Sequence, residues 1–406
     1  MADYKWWVGI DWGTESHAVC VLAPDGSIRE QRSVAQEGAA LSELAATLAS
    51  LGDSPGDVAV AIETPHGAAV ATLLDRGIAV YAINPKQLDR FRDRFTVAGA
   101  KDDRRDALVL ASSLRTDLAL FKCVELREPE IVELRELVRM QDELRREVVV
   151  LGNRVEEQLR RFFPQLLQLG SVHDEPWLWA LIERAPTPTL AARLSLAKIA
   201  SVLKSHRIRR HCAEDVRAIL ATPPLHVAPG VVAASTRHLA QLLSRLRLVH
   251  QQRLATMKAM DEILARLEAP TDRGKHRDAT ILRSLAGVGT VVSATMLAEA
   301  SQPLVARDYQ GLRRYAGCAP VTKRSGKMLT VHRRHQRNPI LENAVYFWAS
   351  NAVQRDAKAK RHYAALRGRG HTHGRAIRGV ADRLLAMLVA MLRSGQLYDP
   401  ALRTAA

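Results

Sequence analysis

The sequence is poor in cysteine and in aromatic residues, and it contains no long apolar run. Its four cysteines, among 406 residues, have no Cys-x-x-Cys spacing, which argues against a zinc site and against a disulfide framework. No stretch of 18 apolar residues occurs and the N-terminus lacks an apolar signal core, so we expect a cytoplasmic protein. Because aromatic residues make up only 5%, aliphatic side chains must form most of the core.

Acidic residues are also scarce in the last quarter of the chain. Residues 301–406 carry 20 Lys and Arg against five Asp and Glu, which accounts for nearly all of the formal charge of +16. A positive charge of this size attracts polyanions, so a nucleic-acid partner is favoured over a basic surface that serves only solubility. We therefore expect the protein to be associated with the nucleoid.

Three regions with different patterns follow one another, and the chain length suits two or three domains. Residues 1–125 alternate strand-like and helix-like segments in the order βββαβαβα, which predicts a mixed sheet flanked by helices. Residues 126–275 contain two long amphipathic segments, which predict helices that pair within one chain or form a coiled coil across a dimer. Between them, Trp177 and Trp179 are predicted to pack in a core. Residues 276–406 predict a mostly helical domain with basic loops.

Carboxylates mark the ends of two predicted strands and the start of a predicted helix. Asp11 ends "WWVGID" and Glu63 ends "VAVAIE", and such residues on neighbouring strands can meet at one sheet edge. In "GAKDDRRDA", Asp103 and Asp106 are three residues apart and share a helix face, while Asp102 lies four residues before Asp106. Clustered acids repel unless a cation neutralises them, and oxygen ligands select Mg²⁺ or Mn²⁺. The alternative is a salt-bridged helix start whose acids stabilise the N-terminus.

Basic residues stand beside these acids in the sequence. Lys101, Arg104 and Arg105 are expected to contact phosphates flanking such a metal site. A pair of carboxylate-bound metal ions can stabilise both the attacking and the leaving oxygen at a phosphodiester. The pattern therefore points to metal-dependent chemistry on a nucleic acid.

Three blocks of this region resemble one protein family. "VGIDWGTESHAVCVL", "AIETPHG" and "KDDRRDA" resemble the RuvC-like domain of DEDD-type insertion-sequence transposases, the bridge-RNA-guided recombinases. The family signature K-x-D-x-x-D-A falls on Lys101, Asp103, Asp106 and Ala107, which favours Asp103 over Asp102. The resemblance implies a RuvC/RNase H-like N-terminal domain whose metal-binding catalytic residues are Asp11, Glu63, Asp103 and Asp106.

Two glycines in "LRSLAGVGTVVSATMLAEA" lie between two helical segments. Gly287 and Gly289 have the G-x-G spacing of a helix-hairpin-helix turn. Such a turn lets the backbone approach a ligand closely, and the amides of the following helix can hold a phosphate. A tight connection between helices requires the same glycines, so this motif is not specific by itself.

The segment "YAGCAPVTKRSGK" resembles the C-terminal serine transposase domain of the same family. The resemblance implies that Ser325 is the nucleophile, which would form a covalent phosphoserine link to DNA. Cations around it are expected to bind nucleic acid and to stabilise charge on the phosphate. These cations are Lys323, Arg324, Lys327, Arg333, Arg334 and Arg337.

The resemblance implies a DNA recombinase that mobilises an insertion sequence. It implies further that a structured guide RNA pairs with donor and target DNA, and that homo-oligomers form through the long helices. One alternative is a RuvC-like, metal-dependent, structure-specific nuclease that uses water as nucleophile and leaves Ser325 structural. "GIDWGT" also resembles the first phosphate loop of actin-like sugar kinases, but the sequence has neither their second D-x-G element nor their glycine-rich adenosine loop. A catalytically dead nucleic-acid-binding protein is disfavoured by the intact acids.

Overall fold

A computed structural model of the chain describes residues 4–94, 102–124, 128–268, 277–326 and 328–399. The chain divides into two compact units, residues 1–128 and residues 129–406. Among the described helices, none combines the length and the apolar content that a membrane span requires.

The described residues of the first unit form a mixed sheet with helices on both faces. The strand order is β3-β2-β1-β4-β5-β6, with β1 parallel to β4 and β4 parallel to β5, and the other pairs antiparallel. The strands are β1 (Trp6–Asp11), β2 (Ser16–Leu22), β3 (Ile28–Ala35), β4 (Val58–Ile62), β5 (Ala79–Ala82) and β6 (Lys122–Val124). The α-helices are α1 (Gly38–Ala49), α2 (Ala68–Asp75), α3 (Pro85–Arg92) and α4 (Asp103–Asp117).

Successive side chains of the two central strands, β1 and β4, point to opposite faces of the sheet, and each face packs against different helices. Val8 and Ile10 of β1 and the valines and isoleucine of β4 pack with buried residues of α1 and α2. On the other face, Ala59 and Ala61 of β4 pack with buried residues of α4. The parallel register pairs Ile10 with Ile62, so the next residues, Asp11 and Glu63, continue the face that α4 covers.

Helix α4 lies unusually close to β1, and Gly9 makes this approach possible. A Cβ atom added at Gly9 would lie 1.9 Å from the carbonyl oxygen of Ala107 and 2.6 Å from the amide nitrogen of Ala111. Both alanines are fully buried, so the helix presents small side chains to the strand. This contact holds α4 on the face of the sheet opposite α1 and α2.

The mixed sheet flanked by helices agrees with the sequence-based expectation, but two elements were missed. The observed order is βββαβαβααβ, because α3 follows β5 and the edge strand β6 closes the unit. β6 has only three residues and pairs only with β5, so it carries no periodic signal. α3 has a strongly polar sequence in which only Leu88 and Phe91 are buried apolar residues.

Replacing Gly9 by Ala is expected to destabilise the first unit. Because the new methyl group meets backbone atoms that cannot rotate away, the cost should be about 2 kcal/mol or more. Gly38→Ala is the matched control, because nothing lies within 4 Å of a Cβ at the first residue of α1. Urea unfolding should show Gly38→Ala to be neutral or slightly stabilised; equal stabilities for both variants would contradict the close packing of α4.

Two long antiparallel helices form the frame of the second unit. They are α5 (Pro129–Phe162) and α10 (Pro229–Glu268), and the sequence-based expectation of two long helices is met within one chain. The end of α5 packs with the beginning of α10 in one core, and the beginning of α5 packs with the end of α10 in another. Trp177 and Trp179 are each 1% exposed in the first of these cores, as predicted.

Shorter helices complete the second unit. Those between the long helices are α6 (Pro176–Arg184), α7 (Pro188–Ala192), α8 (Leu196–Ser205) and α9 (Ala213–Leu220). Those after them are α11 (Asp278–Ser284), α12 (Thr290–Glu299), α13 (Ser301–Val305), α14 (Tyr309–Tyr315), α15 (Pro339–Arg355), α16 (Ala357–Gly368) and α17 (His373–Ser394). One predicted basic loop instead contains a hairpin of two antiparallel strands, β7 (Val321–Ser325) and β8 (Met328–His332).

The G-x-G turn lies between α11 and α12, as the sequence indicated. Gly287 has φ +82°, which favours glycine, and its backbone packs beside Asn351 of α15. Gly289 precedes α12 without a side-chain cap. At this helix start the hydroxyl of Thr290 donates to Asp261 Oδ1 at 2.7 Å, so a carboxylate already lies near the amides predicted to hold a phosphate.

Candidate active site

The ends of two neighbouring parallel strands bring Asp11 and Glu63 to one edge of the sheet. Asp11 is the last residue of β1, and Glu63 directly follows β4. Both residues are half-buried. Since the register runs from Trp6 opposite Val58 to Ile10 opposite Ile62, the two carboxylates occupy corresponding positions on adjacent strands.

The first turn of α4 supplies the other acids. Asp102 caps the helix, because its Oδ1 accepts a hydrogen bond from the backbone N–H of Arg104 at 3.2 Å. Asp103 is exposed, whereas Asp106 is only 2% exposed. The choice of Asp103 over Asp102 as a ligand rests on the K-x-D-x-x-D-A signature and stays a prediction.

Asp106 is held by an arginine that the sequence analysis did not identify. Arg92, the last residue of α3, donates from Nε to Oδ1 of Asp106 at 2.8 Å and from Nη2 to Oδ2 at 2.9 Å. Its Nη1 donates to Asp89 at 2.5 Å. The pKa of Arg92 is raised, chiefly by the hydrogen bonds to Asp106 and despite partial burial. Arg92 thus neutralises the most deeply buried of the four acids.

His17 is a second residue that the sequence analysis missed. It is fully buried in β2, and its Nδ1 accepts the backbone N–H of Gly13 at 3.4 Å while Nε2 donates to the side-chain oxygen of Gln36. Its ring also lies 6.3 Å from that of Trp12. His17 therefore fixes the turn that follows Asp11. The available signal was a lone histidine within the apolar strand "SHAVCVL".

The donor set suits a divalent metal ion by its chemistry. Carboxylates at two strand ends and at one helix start provide the hard oxygen ligands that Mg²⁺ and Mn²⁺ prefer. In the described part of the chain, however, no three Asp, Glu, His or Cys side chains lie close enough together to hold an ion. The structure places Asp11 and Glu63 side by side and pairs Asp106 with Arg92. The assignment of the four acids as ligands stays a prediction.

Replacing Arg92 by Gln is expected to destabilise the protein by about 3–5 kcal/mol, because it leaves a buried carboxylate without its partner. Arg92→Lys should recover only part of this loss, since an ammonium group does not match both carboxylate oxygens. Arg90→Gln, on the exposed side of the same helix, should stay within about 0.5 kcal/mol of the wild type. Urea unfolding measures all three, and a wild-type value for Arg92→Gln would exclude the ion pair.

Ser325 lies at the tip of the β7–β8 hairpin. It is the last residue of β7 and is paired with Met328, and Gly326 follows with φ +55° in the left-handed region that favours glycine. Ser325 is exposed, and so are Lys323 and Arg324 on the same strand. The structure therefore presents a hydroxyl with two adjacent cations to the surroundings.

The other predicted nucleic-acid contacts at this end make bonds within the chain. Arg333 donates to Oε1 of Glu342 at 2.5 Å, Arg337 donates to its Oε2, and Arg334 donates to the carbonyl of Ala319 at 3.2 Å. Burial opposes ionisation of Glu342, but the hydrogen bonds and charges of Arg333 and Arg337 outweigh it and lower the pKa of Glu342. These three arginines therefore tie the segment after the hairpin to α15 and to the residues between α14 and β7.

The remaining predicted contacts are on α4 or outside the described residues. Arg104 and Arg105 are exposed in the first turn of α4. Lys101 and Lys327 lie outside the described residues. Nucleic-acid binding by all of these side chains stays a prediction.

Comparisons with known proteins match two parts of the chain to transposase domains. Residues 8–164 match the DEDD transposase domain of the IS110 type, and residues 279–364 match the transposase domain of the IS116/IS110/IS902 family. The putative transposase of the IS117 mini-circle of Streptomyces coelicolor is 33% identical over 400 residues, which cover 96% of this chain and 94% of that protein. The putative transposase y4uE of Sinorhizobium fredii is 50% identical over 206 residues, which cover 50% of this chain and 57% of that protein.

These matches define the class as a DNA-cleaving transposase, and the six-stranded unit is consistent with the RuvC-like fold of the DEDD type. The chain belongs to the IS116/IS110/IS902 family of insertion-sequence transposases.

Proposed function

We propose that this transposase cuts and rejoins DNA through a serine nucleophile assisted by a metal-dependent carboxylate site. The nucleophile is Ser325, and the carboxylates are Asp11, Glu63, Asp103 and Asp106. The observation that supports the proposal is the parallel register that sets Asp11 and Glu63 at corresponding strand ends, in a chain matched by the DEDD transposase domain.

The proposed cleavage step exchanges one phosphodiester bond for another. Ser325 Oγ forms a bond to phosphorus while the bond from phosphorus to one sugar oxygen breaks, and the serine proton passes to that leaving oxygen. Attack by a sugar hydroxyl of another strand on the phosphoserine reverses these changes and rejoins DNA without an external energy source. Lys323 and Arg324 lie on the same strand and would stabilise charge on the phosphate. A divalent ion held by the carboxylates, Mg²⁺ or Mn²⁺, would stabilise charge on the attacking and leaving oxygens.

The donor and target sequences are proposed to be read by a structured guide RNA. Base pairing between RNA and DNA then supplies sequence specificity, and the protein contacts backbones and shape. The excess of Lys and Arg in residues 301–406 supports this, because phosphate contacts depend on positive charge and carry no sequence information themselves. The exposed Arg104 and Arg105 of α4 would add to this surface.

The active enzyme is proposed to be a homo-oligomer that works at the nucleoid. The acids and Ser325 are more than 200 residues apart in the sequence, so different subunits would provide the two halves of a composite site. Contacts between copies would form along α5 and α10. The division into a carboxylate domain (1–125), a helical domain (126–275) and a serine domain (276–406) is part of the same proposal.

Ser325→Ala should abolish the covalent link between protein and DNA, because no other group replaces the attacking oxygen. A labelled DNA carrying the element ends, incubated with protein and Mg²⁺ and run on a denaturing gel, should show the adduct for the wild type only. Thr322→Ala, an exposed hydroxyl residue on the same strand, is the matched control and should retain the adduct.

The same gel separates serine chemistry from a water-dependent nuclease. If Ser325→Ala cuts DNA as fast as the wild type and neither protein forms an adduct, a RuvC-like hydrolytic nuclease explains the acids. Asp103→Asn, at an exposed carboxylate, should stop cleavage in both cases, which separates loss of the nucleophile from loss of the carboxylate site.

Purification from cells that carry the whole insertion sequence should yield the protein with one discrete structured RNA. Sequencing of the bound nucleic acid after DNase treatment measures this, and the reads should map to the non-coding flanks of the element. Cells that express the coding region without its flanks are the control. Random RNA fragments in both samples would contradict the guided mechanism and leave only general binding to polyanions.

A further inference from the structure

An aromatic cluster on the surface of the second unit includes none of the residues assigned above. Its members are Tyr346 and Phe347 of α15, Tyr363 of α16 and His373 of α17, which we call the aromatic surface. The His373 ring lies 6.3 Å from that of Tyr346 and 5.9 Å from that of Tyr363, edge to face in both pairs. Tyr346 is 36% exposed and Phe347 is 53% exposed.

Hydrogen bonds hold two of these rings in place. Nε2 of His373 lies 3.1 Å from the hydroxyl of Tyr346, and Nδ1 lies 2.9 Å from the hydroxyl of Tyr363. A neutral imidazole has one donor and one acceptor nitrogen, so it donates to one phenol and accepts from the other. The two phenol hydroxyls and the two imidazole nitrogens thus form hydrogen bonds with each other, while much of the aromatic ring surface stays exposed. Fixed, exposed aromatic rings are typical of a binding surface.

The chain around the aromatic surface is strongly basic. Residues 355–378 contain eight Lys and Arg and one acid, Asp356. The carboxylate of Asp356 accepts the backbone N–H of Lys358 at 2.8 Å, where it caps α16. Lys360 and Arg367 are exposed and lie three and four residues from Tyr363, on the same helix face. The surface therefore combines aromatic rings with cations, which fits a polyanion with flat apolar groups.

Exposed amides flank the most exposed ring. Asn343 and Asn351 lie four residues before and after Phe347, on the same face of α15. Their donor and acceptor groups can bond to the edges of nucleobases, whatever the sequence. In a duplex, the base faces are covered by stacking, so exposed rings can stack only on bases that are unpaired.

We propose that the aromatic surface binds single-stranded nucleic acid by stacking on unpaired bases, with Lys360 and Arg367 contacting the adjacent phosphates. The site goes beyond the proposed recombination chemistry, because it requires neither Ser325 nor the carboxylates. It gives the transposase a place to hold an opened strand of DNA while another part of the nucleic acid is paired.

Fluorescence anisotropy of the full chain with a labelled 12-nucleotide oligo-dT tests the proposal. Phe347→Ala should weaken binding about tenfold, since stacking on one base contributes that much. The slope of log affinity against log salt should stay unchanged in this variant, whereas Arg367→Gln should lower it by about 0.7, the contribution of one phosphate contact. Val305→Ala is the matched control, because Val305 is 72% exposed and lies outside the aromatic surface.

Three results would overturn the proposal. The first is an affinity of Phe347→Ala for oligo-dT that lies within twofold of the wild-type affinity. The second is a loss of affinity for duplex DNA equal to the loss for oligo-dT. The third is a wild-type dimer that Phe347→Ala disrupts, because the surface would then be a contact between copies of the chain. Thermal melting must match the wild type; if Phe347→Ala melts early, Phe347→Leu serves instead, because it keeps the apolar volume without the ring. The oligo-dT assay requires neither cleavage nor the element ends, so failure of the recombination chemistry is distinguishable from failure of this site.

Discussion

The close approach of α4 to β1 is the constraint on which the packing of the first unit depends. Gly9 has no side chain, and the buried alanines at positions 107 and 111 let the helix lie directly on the strand. This contact holds α4 on the face of the sheet that Asp11 and Glu63 continue.

Burying the carboxylate of Asp106 is electrostatically unfavourable, and a cation of the same chain offsets this. Asp106 is too deeply buried to be stabilised by water, so its charge requires a partner. Arg92 provides that partner with two parallel hydrogen bonds, while Asp89 holds the other end of its guanidinium group. A metal ion that binds Asp106 must therefore share or replace the contact with Arg92.

The basic C-terminal region uses its cations for two different purposes. Arg333 and Arg337 pair with Glu342 and thereby tie the β7–β8 hairpin to α15. Lys323 and Arg324 on the hairpin remain exposed beside Ser325, as does Lys360 near the aromatic surface. Net charge alone does not distinguish these groups, because an arginine that supports the fold and one that faces solvent contribute equally to it.

The sequence by itself determined the mixed α/β character of the N-terminal region, the two long helices, and the placement of Asp11, Glu63, Asp103 and Asp106 at strand ends and a helix start. These features follow from local periodicity, since the position of a residue along a strand or helix depends on its near neighbours. Only the tertiary structure decided that Arg92 pairs with Asp106, that His17 holds the turn after Asp11, and that Ser325 lies on an exposed hairpin. These contacts join short elements with weak periodicity, or groups whose pairing depends on how the elements pack in space.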